Sequence, residues 1–456
     1  MSISRWALFM GGASLLVAGC TGHDDASSNG GSAITGKTPV DTPQHTPDTE
    51  PPPHPPEPPI PPPPNPPDTS PPGPNDVVGI VQGRTGGPVV GVKVASGGFV
   101  TKSDSKGRFI LRNVPPKYDV YCGIDGQGDV YSGLTTRAPT IRLREASDYS
   151  YPAQIRIDYN PSPSPPEIIS FAVRDDIGTE SLGIGPGYPA VFWPAPAPEL
   201  TGQFFALEYE RPAIRGGPPT HYTGLAFAPM RLRRGGQTVF QPTFSPVPST
   251  MTVTGVARPA PGTTIYETFL YLSFGGSYGR VNSQYPGITM PAQFVVPEVP
   301  GASWAIEYSA YETGAPGSFG GAHSSMIVPI SADGSVPEAD VPAPAKMVLP
   351  ARDATNFDVG SEIAWANGQG TCQVAVSRKD TTVYITTVES HIVMPDLAAV
   401  GVPFGRGERY FISVWCNKPA SRTPDTDPVL DPSGPRPERY LGTSTYSRSI
   451  GVSSPP

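Results

Sequence analysis

The run Gly275-Gly276-Ser277-Tyr278-Gly279 fits the G-x-S-x-G pattern of a hydrolase nucleophile. That chemistry needs the serine on a strand-to-helix turn, with a base in hydrogen-bond reach. No helical period follows Gly279, and the surrounding glycines read as a loop between strands. Beyond residue 75 the histidines are His221, His323 and His391, and nothing in their spacing brings them to Ser277. Two acidic stretches, Asp125-Gly126-Gln127-Gly128-Asp129 and the group Asp425, Asp427 and Asp431, lack the ligand spacing of a calcium loop and read as solvated turns. No H-E-x-x-H occurs. The chain therefore reads as non-catalytic, without a cofactor or a metal site. A hydrolase site hidden between residues 150 and 340 is the outlying alternative; its mark would be His221, His323 or Ser277 gathered with a carboxylate in a pocket.

The four cysteines carry clearer chemistry. Cys20 closes the run Leu15-Leu16-Val17-Ala18-Gly19-Cys20, after Arg5 and an apolar stretch from Trp6 to Ala18. This is a secretory signal with small residues before the cut, and it is too short to span a bilayer. A cysteine directly after the small pair resembles a bacterial lipobox. The resemblance implies removal of residues 1–19 and lipidation of Cys20, which would anchor the chain to a membrane, with Thr21 pointing to the outer one. An ordinary signal peptide with an incidental cysteine is the other reading. An exported chain can form disulfides; Cys122, Cys372 and Cys416 then leave one thiol odd.

A net charge of −8 gives no footprint for nucleic acid. The one basic cluster, Arg231-Leu232-Arg233-Arg234, reads as a solvated loop or strand edge. Residues 20–75 form a disordered tether, and from Pro39 to Asn75 proline dominates. Such a segment adopts polyproline II at ~3.1 Å per residue, so Pro51 to Asn75 spans roughly 75 Å.

After Asn75 apolar residues alternate with polar ones and turns recur at short intervals, which reads as all-β: tandem β-sandwich modules. In the first module, 76–146, the Asp104-Ser105-Lys106-Gly107 run predicts a tight hairpin. Phe109 and Leu111 share one face, and Tyr118, Val120 and Cys122 share another. The blocks V-x-G-x-V, G-G-P-V-x-G-V-x-V, D-S-K-G-R-F and N-V-P-P-x-Y-x-V resemble the carboxypeptidase regulatory-like domain, which implies a small transthyretin-like sandwich without catalysis. His54-Pro55-Pro56-Glu57 repeats half of the zinc motif of the peptidases that carry this domain, but it sits in the proline tether and reads as chance. Cys122 reads as a buried free thiol, with an intermolecular disulfide as the alternative.

One or two further sandwich modules occupy 160–340, with strands near Ile168–Val173 and Phe204–Tyr209. Phe294 through Trp304 echoes the first module, putting Trp304, Ile306 and Tyr308 on one face and Glu307 and Ser309 on the other. The last module, 342–456, loosely resembles a fibronectin type III domain in its tryptophan strand (Glu362–Trp365) and its Tyr410–Cys416 strand. Period two puts Cys372 and Cys416 on the apolar face, as a core disulfide or as two buried thiols. Phe99, Tyr131, Phe192, Trp193 and Tyr278 are candidates to stack on sugars or partners, or else core residues. The expected whole is a lipid-anchored bacterial envelope protein, displaying sandwiches for adhesion or for binding glycans or envelope proteins. A periplasmic structural subunit of an envelope complex is the alternative.

Overall fold

The computed structural model describes residues 71–455, apart from 84–86, 125, 144–153, 160–165, 175–177, 185–198, 211–218, 234, 276–277, 285–289, 314–321, 379–380, 419–441 and 448–449. Cys20, the tether up to residue 70 with His54 and Glu57, Asp125, Ser277, Phe192, Trp193, Asp425, Asp427 and Asp431 lie outside these residues. The described chain is all-β; its one helical turn is a 3-10 turn, Ala398–Val400. Among the described residues no helix is long and apolar enough to cross a membrane.

The modules do not follow one another as separate beads. Thirteen strands join into one sheet whose order departs from chain order. At one end lie Gly279–Gln284, Thr263–Ser273, Ser303–Glu312 and His323–Ile330; the last-module strands Gly442–Tyr446, Arg409–Lys418, Thr371–Arg378 and Thr381–Thr387 follow; the first-module strands Gln127–Leu134, Tyr118–Ile124, Lys93–Ser96 and Phe99–Lys102 close it, and the thirteenth strand, Ile450–Ser453, also pairs with Arg409–Lys418. The last module therefore sits between the first and a third one, built from the strands between residues 250 and 341. Two backbone seams make the joins. His323–Ile327 pairs antiparallel with Gly442–Tyr446, and Val383–Thr386 pairs parallel with Gly128–Tyr131.

Smaller sheets cover this long one. In the first module, Val77–Gln82 lies between Arg108–Leu111 and Thr140–Arg142. Val81, Phe109, Leu111, Tyr118, Val120, Cys122 and Tyr131 fill the space between the two layers. The Asp104–Gly107 turn forms, with Gly107 at φ 73° and the Asp104 carboxylate accepting from the amides of Lys106 and Arg108 at 2.8 Å each. It does not close a hairpin, however. Phe99–Lys102 pairs with Lys93–Ser96 in the long sheet, whereas Arg108–Leu111 pairs with Val77–Gln82 in the small one. The turn is a corner that carries the chain between layers.

The third module repeats this move: Ala292–Pro297 belongs to a two-stranded sheet, and after a turn at Gly301 (φ 75°) Ser303–Glu312 enters the long sheet. Its core holds Leu270, Leu272, Phe294, Trp304, Ile306 and Tyr308. Glu307 and Ser309 do face the other side, yet that side is covered too. Glu307 is 3 % exposed, beside Phe269, Tyr271 and Ala305, and the Tyr271 hydroxyl donates to its carboxylate at 2.6 Å. Residues 154–240 add a four-stranded sheet, Gly178–Ile184, Glu167–Arg174, Glu199–Tyr209 and Tyr222–Arg233. One of its faces packs Phe171, Phe205 and Leu207 into the third module's core; the other carries Phe204 and Ala206 against Ile155, Ile157 and Phe240. Leu232 is buried there, while Arg231 and Arg233 turn outward to Glu199.

In the last module, Lys346–Leu349, Glu362–Ala366 and His391–Val393 form the covering sheet. Cys372, Val374, Val376, Ile412, Val414 and Cys416 face it across the core. Cys372 and Cys416 stand directly opposite on neighbouring strands, with their sulfurs bonded. Cys122 is a buried free thiol.

The chain enters the first sandwich through a clasp. The Asp76 carboxylate accepts from the amides of Gly73 (2.7 Å) and Asn113 (2.9 Å) and from the Arg112 guanidinium (2.7 Å). These bonds, the Asn113 amide foremost, lower its pKa from 3.8 to about 2. A depressed folded-state pKa contributes stability above 3.8 that is lost as pH falls through about 2. The wild type should therefore lose more stability than Asp76→Asn between pH 5 and pH 2 in chemical denaturation; equal losses would refute the clasp.

Gly123 and Gly128, a directly opposed pair, let the Leu397–Val402 segment of the last module lie on the first. A Cβ on Gly123 would stand 2.2 Å from the Val400 carbonyl oxygen. Gly123→Ala should cost about 1–3 kcal/mol by overpacking, read as a lowered melting temperature.

Candidate functional site

The alternation that fills the first sandwich also decides what its long sheet shows outside. Tyr118, Val120 and Cys122 point inward, so Asp119, Tyr121 and Gly123 point outward. On the neighbouring strand Tyr131 points inward, leaving Val130 and Ser132 outside. The last module covers this outer face only in part. Where it stops short, a cleft of about 540 Å³ remains at the junction of the two modules. That volume lies within the range of ligand pockets, which favour such junctions.

One wall carries Lys117, Asp119, Tyr121, Val130, Ser132 and Ile385; the other carries Glu389, the strand His391–Val393 and Pro395. The floor is apolar, with Val130 and Ile385 buried in the last module's core and the half-buried Tyr121 ring packed against it. At the mouth the Lys117 ammonium meets the Glu389 carboxylate at 3.2 Å, joining first module to last. Both side chains are largely exposed, so this pair contributes at most about 1 kcal/mol.

Asp119 organises the polar side. Its Oδ1 accepts from the Ser132 hydroxyl at 2.9 Å and from the Gly133 amide at 2.7 Å. Burial, then the Asp119 charge and its hydrogen bond, raise the Tyr121 phenol above its ordinary value of 10.0. Tyr121 thus stays protonated at neutral pH. The cleft offers a neutral phenol, two carboxylates, an ammonium and an imidazole around an apolar floor, a set suited to holding a mixed polar and apolar ligand.

The described residues singled out from the sequence fall elsewhere, His391 excepted. His221 meets Glu210 at the surface (3.0 Å). His323 stacks between Tyr311 (5.2 Å) and Tyr446 (5.1 Å) across the seam from third to last module. Asp129 is not on a solvated turn but buried in its strand, and the described residues contain no group of side chains that could hold a metal. Among the described stacking candidates, Tyr131 is a core residue, Tyr278 packs against Phe269 and Tyr271, and Phe99 stands exposed on an edge strand. Sequence reading passed over Tyr121 and Asp119 because they alternate with core positions and so look solvated. The nearby signal was Gly123 with Gly128, since strand glycines mark a close backbone approach.

No known protein family matches the chain, and no curated protein matches it. Among solved structures, the TIE protein of Bacillus anthracis is similar at 13 % identity, with 59 % of this chain and 50 % of that chain covered and a TM-score of 0.15. The pilus adhesin SpaC from Lactobacillus rhamnosus GG is similar at 10 % identity, with 69 % and 44 % covered and a TM-score of 0.13. The chain thus spans half or less of the length of these structures. At such TM-scores neither likeness bears on fold or function.

The cysteine arrangement has a simple readout. If Cys20 is lipidated, the denatured mature protein should show one reactive thiol, Cys122, before reduction and two more, Cys372 and Cys416, after it. Opening the Cys372–Cys416 bridge should cost about 4 kcal/mol for a loop of this length, seen as a lower melting temperature in reductant.

Proposed function

We propose that this chain is a non-catalytic, lipid-anchored envelope protein that holds a rigid β array away from its membrane for binding. The observation that carries the proposal is the cleft formed jointly by the first and last modules and lined by both. A cleft built across a module junction keeps its shape only if the modules stay fixed, and the parallel seam from Val383–Thr386 to Gly128–Tyr131 fixes them. Cys20 supplies the anchor in this reading, and the proline-dominated residues up to Asn75 supply the distance. Covalent lipid adds about 0.8 kcal/mol per buried methylene, so several acyl chains hold stably.

The test is metabolic labelling with a radioactive fatty acid, with protease treatment of intact cells alongside. The wild type should take up label and Cys20→Ser should not. Loss of the last module from intact cells would place the array outside. Its loss only after the outer membrane is opened would favour the periplasmic structural role. Absence of label in the wild type would sink the anchored reading.

A further inference from the structure

The cleft has an open strand edge for one wall. Glu362–Ala366 and His391–Val393 pair antiparallel, and the bonds Trp365 N–H to Ser390 O (3.0 Å) and Met394 N–H to Ser361 O (2.8 Å) bracket their ladder. The antiparallel alternation therefore turns the main-chain groups of Ser390, Ile392 and Met394 toward Glu362–Ala366. Those of His391 and Val393 point the other way. Among the described residues His391–Val393 is the last strand of its sheet, so those groups face the cleft that this strand lines. Folded proteins usually blunt such edges with lysine, proline or a bulge. Here Val393 is 58 % exposed. An open edge, an exposed valine and an adjoining apolar floor together describe a strand-docking groove.

We propose that this groove takes up one extended strand of a partner polypeptide. Its main chain pairs with His391 and Val393, and one aliphatic side chain rests on the half-buried Tyr121 ring, above the buried Val130 and Ile385. The three-residue edge spans roughly 10 Å, enough for a short segment. The chain's own proline-dominated stretch is a poor occupant, because proline has no N–H to give a ladder. Asp119 and Glu389 outnumber Lys117 along the groove, so the favoured segment alternates β-branched residues beside a basic one. This rests on the binding role proposed above. Fatty-acid labelling and protease access test the anchor without reference to peptides, so the two can fail separately.

The experiment is fluorescence anisotropy with the full-length protein in detergent and dye-labelled pentapeptides such as Lys-Val-Thr-Val-Glu and Lys-Val-Thr-Val-Lys. Saturable binding is expected. N-methylation of two alternate backbone amides of the peptide should weaken it at least tenfold. Val393→Pro, which removes an N–H that the Glu362–Ala366 ladder does not use, should weaken it similarly with an unchanged melting temperature. The peptide arm stands even if that variant misfolds. Equal binding of the N-methylated peptides, or no binding by any peptide at millimolar concentration, would overturn the proposal. So would displacement of the peptides by neutral oligosaccharides, or a concentration-dependent dimer that shuts them out by filling the groove with a second copy.

Discussion

Main-chain hydrogen bonding across strand edges is the constraint on which the rest of this structure depends. A strand edge presents a row of donors and acceptors that must find partners. Here the first, third and last modules satisfy one another's edges instead of each closing its own. Val383–Thr386 against Gly128–Tyr131 and His323–Ile327 against Gly442–Tyr446 turn three sandwiches into one thirteen-stranded sheet. Such a joint is stiffer than a flexible linker, because bending it would break backbone bonds in series. The order third, last, first also means that residues far apart in the chain share one surface.

The shared sheet changes what burial means for its strands. Strands in an isolated sandwich show one wet face. Thr371–Arg378 is buried at seven successive positions instead, and Ser303–Glu312 likewise through its middle. Some polar side chains on the second face are held in hydrogen bonds. Tyr271 donates to Glu307, and Gln373 reaches Thr386 at 3.4 Å. The Tyr266, Tyr311, His323 and Tyr446 rings follow one another at 5.1 to 5.3 Å across four strands. Their rings pack against each other, so they brace the seam, as cross-strand aromatic pairs do.

The cleft follows from the same joint. The last module reaches over the first with its Leu397–Val402 segment, seated on Gly123 and Gly128, and Lys117 and Glu389 meet at the far side. Between these two contacts the surfaces separate. A cleft so formed has walls from two modules and a floor continuous with a packed core, so its width is set by the sheet and not by mobile loops. That geometry suits binding, and it makes affinity depend on the docking of the two modules.

The class of fold and much of the local detail are legible in the residue pattern alone. Period two placed Phe109, Leu111, Tyr118, Val120 and Cys122 inside, and it put Cys372 and Cys416 with Val374, Val376, Ile412 and Val414. Turn chemistry located the bend at Asp104–Gly107. These are local properties, set by the pleat and by φ, and a few residues suffice to specify them. Which strands become neighbours is not local. The Asp104–Gly107 turn could close a hairpin or turn a corner, and only the layer that receives Phe109 decides. Glu307 reads as solvated until a second covering appears over its face. Tyr121, Asp119 and His391 share a cleft only because strands 255 residues apart pair in parallel. Such pairing is chosen by the total burial and hydrogen bonding of the whole sheet, a sum that no window of sequence contains.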